Sequence, residues 1–141
     1  TMGVNVRGTF LCVQAAVPYM RENGKGSIVI YTSTAGQRGS AVYSAYATSK
    51  GAQIMFMRSM ALELGADKIR CNCVAPAWTE TDMAAPSLDA LGREDVAKGF
   101  VLGRIGLPDD IAGATVYLLS PLAQFVTGMT LTVDGGMDMR G

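Results

Sequence analysis

Residues 33–50 read Ser33-Thr-Ala-Gly-Gln-Arg-Gly-Ser-Ala-Val-Tyr43-Ser-Ala-Tyr46-Ala-Thr-Ser-Lys50. A hydroxyl ends a β-branched run, a glycine-bearing loop follows, and a helix then carries Tyr46 and Lys50. Four residues is just over one helical turn, so these two side chains share a face with Cβ atoms about 5–6 Å apart. An ammonium at that range favours a phenolate and lowers a tyrosine pKa from its free value of about 10. A phenol tuned in this way exchanges a proton near neutral pH, and the Ser33 hydroxyl can hold the oxygen that gives or takes it. The stretch predicts an acid–base site for an alcohol or a carbonyl, set where a strand hands over to a helix.

On the N-terminal side, residues 27–33 form a continuous β-branched and aromatic run, which predicts a strand buried on both faces of a parallel sheet. Before it, apolar positions recur with helical spacing over 4–23; Pro18 should kink that helix or end its ladder, and Asn23, Gly24 and Gly26 stop it. On the C-terminal side the helix over 43–64 is apolar around most of its circumference, the mark of burial on several sides or of pairing with another subunit. Its methionines are packing residues. A second buried strand over 69–75 closes at Pro76, and a long polar loop runs to about Arg93. A short helix is expected over 95–101. Pro108 with Asp109 and Asp110 starts another helix reaching about Leu119, since carboxylates suit the positive end of the dipole. A last strand spans 130–133, and Asp134-Gly135-Gly136 turns after it. Helix and strand alternate three times. This order implies right-handed crossovers and the C-terminal part of a Rossmann-like, doubly wound parallel α/β sheet, a single partial domain over 1–141 with no internal linker.

Composition narrows the chemistry. The chain has 141 residues, 49% hydrophobic, with twelve basic side chains balanced by twelve acidic ones. Zero net charge gives no electrostatic reason to expect nucleic acid or an anionic membrane as a partner. No apolar run approaches the roughly 18 residues of a membrane span, and no secretory signal opens the chain. A cytoplasmic protein is expected. Histidine is absent, which excludes Ser–His–Asp and Cys–His nucleophile systems and histidine-ligated metal within this chain; no metal site is expected. The cysteines, Cys12, Cys71 and Cys73, are too few and wrongly spaced for a disulfide framework or a four-ligand zinc site. Cys71 and Cys73 face the same side of a strand as small buried hydrophobes. Because residue 1 is Thr and the chain opens at a helix, a fragment of a longer product is expected.

Taken together, these residues resemble the short-chain dehydrogenase/reductase family, over essentially the whole chain. Its tyrosine, three residues, then lysine signature is met by Tyr46-Ala47-Thr48-Ser49-Lys50. Its serine, thirteen residues before the tyrosine at a strand end, is met by Ser33, with Thr32 and Thr34 close enough to compete. Its early asparagine matches Asn5 in Asn5-Val6-Arg7-Gly8, and its strand ending in Pro-Gly matches residues 69–76. Residues 104–112 and 127–136 are similar to its C-terminal third. Two departures stand out. Ala77 replaces the glycine after the proline, crowding the nicotinamide side or shifting the loop, and Trp78 adds bulk beside it. The glycine-rich dinucleotide turn has no counterpart here, since no Gly-x-x-x-Gly-x-Gly run occurs.

The resemblance implies an oxidoreductase that uses NAD or NADP on a small alcohol or ketone. It makes Tyr46 the general acid or base. Lys50 tunes Tyr46 and binds the cofactor's ribose, and Ser33 holds the substrate oxygen. Asn5 is implied to anchor a water-linked proton path through Lys50, against the plainer role of a helix N-cap. Pro76, Ala77, Trp78, Thr79 and Thr81 are implied to face the nicotinamide end, with Tyr46 and Lys50 completing the cofactor contacts. Tyr43 is expected on the substrate pocket wall and residues 83–103 as a lid over it. A homo-oligomer, tetramer or dimer, is implied. Two other classes are weighed: a truncated, inactive fragment, and a non-catalytic oligomerising module of the same fold. A serine hydrolase fails for want of histidine, and a Ser-x-x-Lys nucleophile fails because Ala47 stands three before Lys50.

Overall fold

A computed structural model describes residues 1–139. Three parallel strands in the order β1-β2-β3 form its centre: β1 Gly26–Tyr31, β2 Ile69–Pro76 and β3 Thr130–Val133. Gly26 pairs with Ile69 and Tyr31 with Val74, while Cys73 pairs with Thr130 and Pro76 with Val133. All three strands therefore run the same way and end on the same side. Ahead of β1, a π-helical turn Gly3–Gly8 leads into α1 Thr9–Glu22. After β1 come α2 Ala35–Arg38 and the 21-residue α3 Ser44–Leu64. After β2 come α4 Ala85–Leu91, α5 Arg93–Lys98 and α6 Pro108–Leu119.

The sheet's two faces are covered by different helices, as alternation along β2 dictates. Cys71 and Cys73 point to one face and join Ile30, Ile54, Met57 and Ala61, with α3 supplying the last three. Val13 and Val17 of α1 extend that layer over Leu64 and Ile69. Val74 points to the other face, against Ile111 and Leu118 of α6. Asn72 shares this second face and is fully buried. Its amide donates to the Val126 carbonyl at 2.9 Å and its carbonyl accepts the Met129 N–H at 3.1 Å, which ties β2 to the approach to β3. A fourth cluster, separate from the sheet, joins Leu88, Phe100 and Ile105 to Trp78 and Met137.

Several expectations need correction. β1 is covered on both faces, Ile28 and Ile30 against α3 and Val29 against the α6 cluster, but it is less buried than expected: within it only Ile30 is buried and Tyr31 is 48% exposed, since among the described residues β1 pairs with β2 alone. The strand ends at Tyr31 rather than Ser33, although the Thr32 N–H still donates to the Val74 carbonyl at 2.9 Å. The glycine loop contains a helical turn, α2, which ends at Gly39 with φ 83. The first helix runs through Pro18 to Glu22, and its opening turn is π-helical rather than α-helical. The polar loop before Arg93 holds α4, and the short helix expected over 95–101 lies earlier, as α5. The helix over 108–119 and the strand over 130–133 occur with the expected bounds. The Asp134 carboxylate accepts the N–H groups of Gly136 at 3.0 Å and Asp138 at 2.8 Å, closing the turn. Among the described residues no helix is long and apolar enough to cross a membrane.

Burial sets the thiol chemistry. It pushes the Cys73 thiol up to about 12 and the Cys71 thiol up to about 11, whereas Cys12 is exposed on α1. A thiolate is the reactive form, so alkylation at neutral pH should modify Cys12 and leave Cys71 and Cys73 intact until denaturant is added. Peptide mass spectrometry before and after unfolding checks this. Native-state labelling of Cys73 would contradict the packing.

Candidate active site

Parallel strands leave their C-terminal ends as the place where loops converge. Here β1 delivers Ser33 and β2 delivers Pro76 to the same end. The Thr34 N–H donates to the Pro76 carbonyl at 3.1 Å and holds the two exits together. α3 starts beside them and presents Tyr46 and Lys50. Ser33, Tyr43, Tyr46, Lys50, the run from Pro76 to Thr79 and Thr81 all line one cavity of about 690 Å³.

Each polar group in this cavity has a definite local arrangement. The Ser33 hydroxyl oxygen accepts the Ala35 N–H at 3.2 Å, which fixes the oxygen and leaves its own O–H to donate elsewhere. The Lys50 ammonium donates to the Tyr31 carbonyl at 2.9 Å, at the end of β1, and lies 5.7 Å from the centre of the Tyr46 ring. Desolvation lowers the Lys50 pKa from its ordinary value. The Thr32 hydroxyl donates to the Lys50 carbonyl at 2.8 Å, so it braces α3. The Thr79 hydroxyl donates to the Ala77 carbonyl at 3.1 Å, and the Thr81 hydroxyl accepts the Ala84 N–H at 3.2 Å at the start of α4. Thr79 also pairs with Gly106, which anchors the loop after β2 to the segment before α6.

Asn5 lies behind this wall rather than on it. Its side-chain amide donates to the Ser49 hydroxyl at 2.9 Å, and Ser49 in turn donates to the Tyr46 carbonyl at 2.7 Å. The Asn5 carbonyl accepts from the Gln53 amide at 2.9 Å and from the Thr9 hydroxyl at 2.6 Å. The bonds of Asn5 thus run to α3 through Ser49 and Gln53, and Tyr46 and Lys50 sit on that same helix.

Sequence reasoning did not find the far wall. Pro108, Ile111 and Ala112 of α6 line the cavity, as do Met137 and Arg38. The Pro-Asp-Asp start of α6 was a readable signal for a helix end. Its approach to Ser33 depends on a crossover that local pattern does not encode. That helix start is built as expected: the Asp110 carboxylate accepts the Leu107 N–H at 2.7 Å and bonds Arg104 at 2.6 Å and 2.8 Å. The Arg104 guanidinium holds the Asp110 carboxyl well below the usual carboxylate range.

Comparison with known proteins places this geometry. The family model described as enoyl-(acyl carrier protein) reductase matches residues 1–138. The chain belongs to the short-chain dehydrogenase/reductase family. Among its relatives is a probable short-chain type dehydrogenase/reductase of Bradyrhizobium diazoefficiens, 40% identical over 137 residues, 97% of this chain and 49% of that protein. An L-rhamnose 1-dehydrogenase (NAD(P)(+)) of Azotobacter vinelandii is 40% identical over 139 residues, covering 97% and 54% of the two chains. A gluconate 5-dehydrogenase of Burkholderia cenocepacia, solved in complex with NADP and tartrate, superposes with a TM-score of 0.93 at 32% identity over 98% of this chain and 55% of that one. The chain spans about half the length of the relatives it matches. The parallel sheet with helices on both faces is therefore the family's Rossmann fold, and the chemistry of the family is that of an oxidoreductase.

Proposed function

We propose that this chain is the catalytic half of an NAD(P)-dependent oxidoreductase acting between a secondary alcohol and its carbonyl. The observation that carries this reading is the meeting of Ser33, Tyr46 and Lys50 on one cavity. The cavity also fits the cofactor end that the reading requires. Its volume is about 690 Å³, inside the roughly 300–1,000 Å³ of small-molecule sites. Its walls are apolar at Pro76, Ala77, Trp78 and Ile111, with a few convergent polar groups.

A bound nicotinamide supplies the hydride equivalent, and the protein supplies orientation and a proton. In reduction, Ser33 donates its O–H to the carbonyl oxygen and steadies the charge that grows there. Tyr46 gives that oxygen its proton, and in oxidation takes it back. Lys50 keeps two of its three donors after bonding Tyr31, enough for the ribose hydroxyls, and its charge stands beside the phenol. Pro76, Ala77, Trp78, Thr79 and Thr81 hold the nicotinamide end, with backbone groups near Thr79 available to a carboxamide. Asn5 stiffens the base of α3 through Ser49. NAD and NADP both fit this reading, since the residues that choose between them follow a glycine-rich turn that this sequence lacks.

A second reading, that this stretch by itself does not turn over, is favoured by the chain's span of about half its relatives and by the unpaired edge of β1. Without a phosphate cradle, cofactor affinity is poor. Trp78 is the chain's one tryptophan and lines the cavity, so its fluorescence reports binding directly. Titration with NADH or NADPH should quench it saturably in the family-length protein, and a ketone should then consume the reduced cofactor. Saturation by the 141-residue chain alone would dispose of the second reading. Absence of quenching in both would overturn the first.

A further inference from the structure

α2 and α3 approach backbone to backbone at Gly36 and Gly51. A Cβ added to Gly36 would lie 2.6 Å from the Lys50 carbonyl carbon, 2.8 Å from the Gly51 nitrogen and 2.8 Å from the Lys50 Cβ. A Cβ added to Gly51 would lie 3.2 Å from the Gly36 carbonyl oxygen. Neither glycine has a positive φ, so the requirement is for space and not for backbone conformation. The atoms in the way at Gly36 are mostly helix backbone, which cannot swing aside as a side chain tip can.

The contact sits between the groups proposed to do the chemistry. The Gly36 N–H donates to the Ser33 carbonyl at 2.9 Å, and the neighbouring Ala35 N–H holds the Ser33 hydroxyl. On the other side the blocking atoms belong to Lys50, one turn after Tyr46, and to the Gly51 nitrogen that follows it. The Thr32 hydroxyl spans the same joint to the Lys50 carbonyl at 2.8 Å. We infer that Gly36 is a positioning residue: its missing Cβ, seated against the Lys50–Gly51 backbone, sets how far the Ser33 hydroxyl stands from Tyr46 and Lys50. This rests on the oxidoreductase reading for its kinetic consequence, and on the contact alone for its structural one.

A methyl at Gly36 must push α2 from α3 by about 1 Å to reach ordinary carbon–carbon contact. A misplacement of that size costs on the order of 10²-fold in rate. In the family-length protein, Gly36→Ala should lose about 10²-fold in kcat, while the cofactor Kd from Trp78 quenching moves by less, because α3, which carries Lys50, is packed on the sheet and the shift falls on the four-residue α2. A purely structural glycine would lower the melting temperature and leave kcat per folded molecule intact, which would overturn the inference. Gly51→Ala, which needs a shift of only a few tenths of an ångström, should fold normally and lose kcat by about three- to tenfold. Unchanged kcat in both variants would sink the proposal even if Gly36→Ala folds poorly. Crystal structures of wild type and Gly36→Ala give a readout that needs no turnover. The Thr32–Lys50 bond should open beyond hydrogen-bond range, and its persistence would refute the joint. An inactive wild type, with that bond opened in Gly36→Ala, would fault the oxidoreductase reading instead.

Discussion

Replacing Tyr46 by Phe in the family-length protein removes turnover by at least about 10²–10⁴-fold, the usual contribution of a positioned acid or base, while cofactor binding persists. The separation of the two effects follows from the geometry. The phenol lines the cavity, yet its backbone carbonyl is held by Ser49 and its helix by the Thr32–Lys50 bond and the Gly36 contact, none of which uses the hydroxyl. Steady-state assays in both directions, beside Trp78 titrations, test this. A Phe variant that kept its kcat would remove Tyr46 from the chemistry. Tyr43→Phe serves as the comparison: it lines the same cavity but has Ala47, not lysine, one turn on. Its expected change is confined to KM.

Replacing Asn72 by Leu lowers unfolding stability by on the order of 3 kcal/mol, since a buried N–H left without a partner costs about 1–3 kcal/mol and the lost bonds add to it. Asn72 is 0% exposed in the central strand, and its carbonyl takes the Met129 N–H where the chain enters β3. The Val126 carbonyl keeps a longer bond of 3.3 Å from Arg70, so the cost falls mainly on Met129. Urea unfolding curves measure the change directly. A variant within about 0.5 kcal/mol of wild type, the range of ordinary surface substitutions, would show that Met129 finds another acceptor.

Asn72 also marks where sequence reasoning stopped. The run over 69–75 was readable as a strand because β-branched and small residues crowd it, and that reading passed over the amide in its middle. Its partners lie 54 and 57 positions away, and no local pattern reports them. The same limit explains the cavity's far wall on α6. In contrast, the alternation of helices with parallel strands was readable from apolar periodicity and from the glycines and prolines between elements. Tyr46 and Lys50 share a face because α-helical spacing requires it, and Ser33 joins them because a parallel strand must end where the next helix begins. Errors gathered where glycine, alanine and proline dominate. α2 carries Gly36 inside it and is held by packing on α3, and α4 begins Ala-Pro, which reads as loop until Pro86 is seen in the first turn. The burial of β1 was overstated because a hydrophobic strand does not announce how many neighbours it has.

The cluster of Leu88, Phe100 and Ile105 has its own outlook. It is joined to the rest by Trp78 and Met137 rather than through the sheet, and the Arg93 and Lys98 ion pairs around it lie near the surface. Such a unit can loosen or be rebuilt without disturbing the sheet and α3 beneath the cavity. On the proposed oxidoreductase reading, a chimera bearing another family member's residues 83–103, of which Met83, Ala84 and Ser87 line the cavity, should keep its reaction while adopting a new substrate preference.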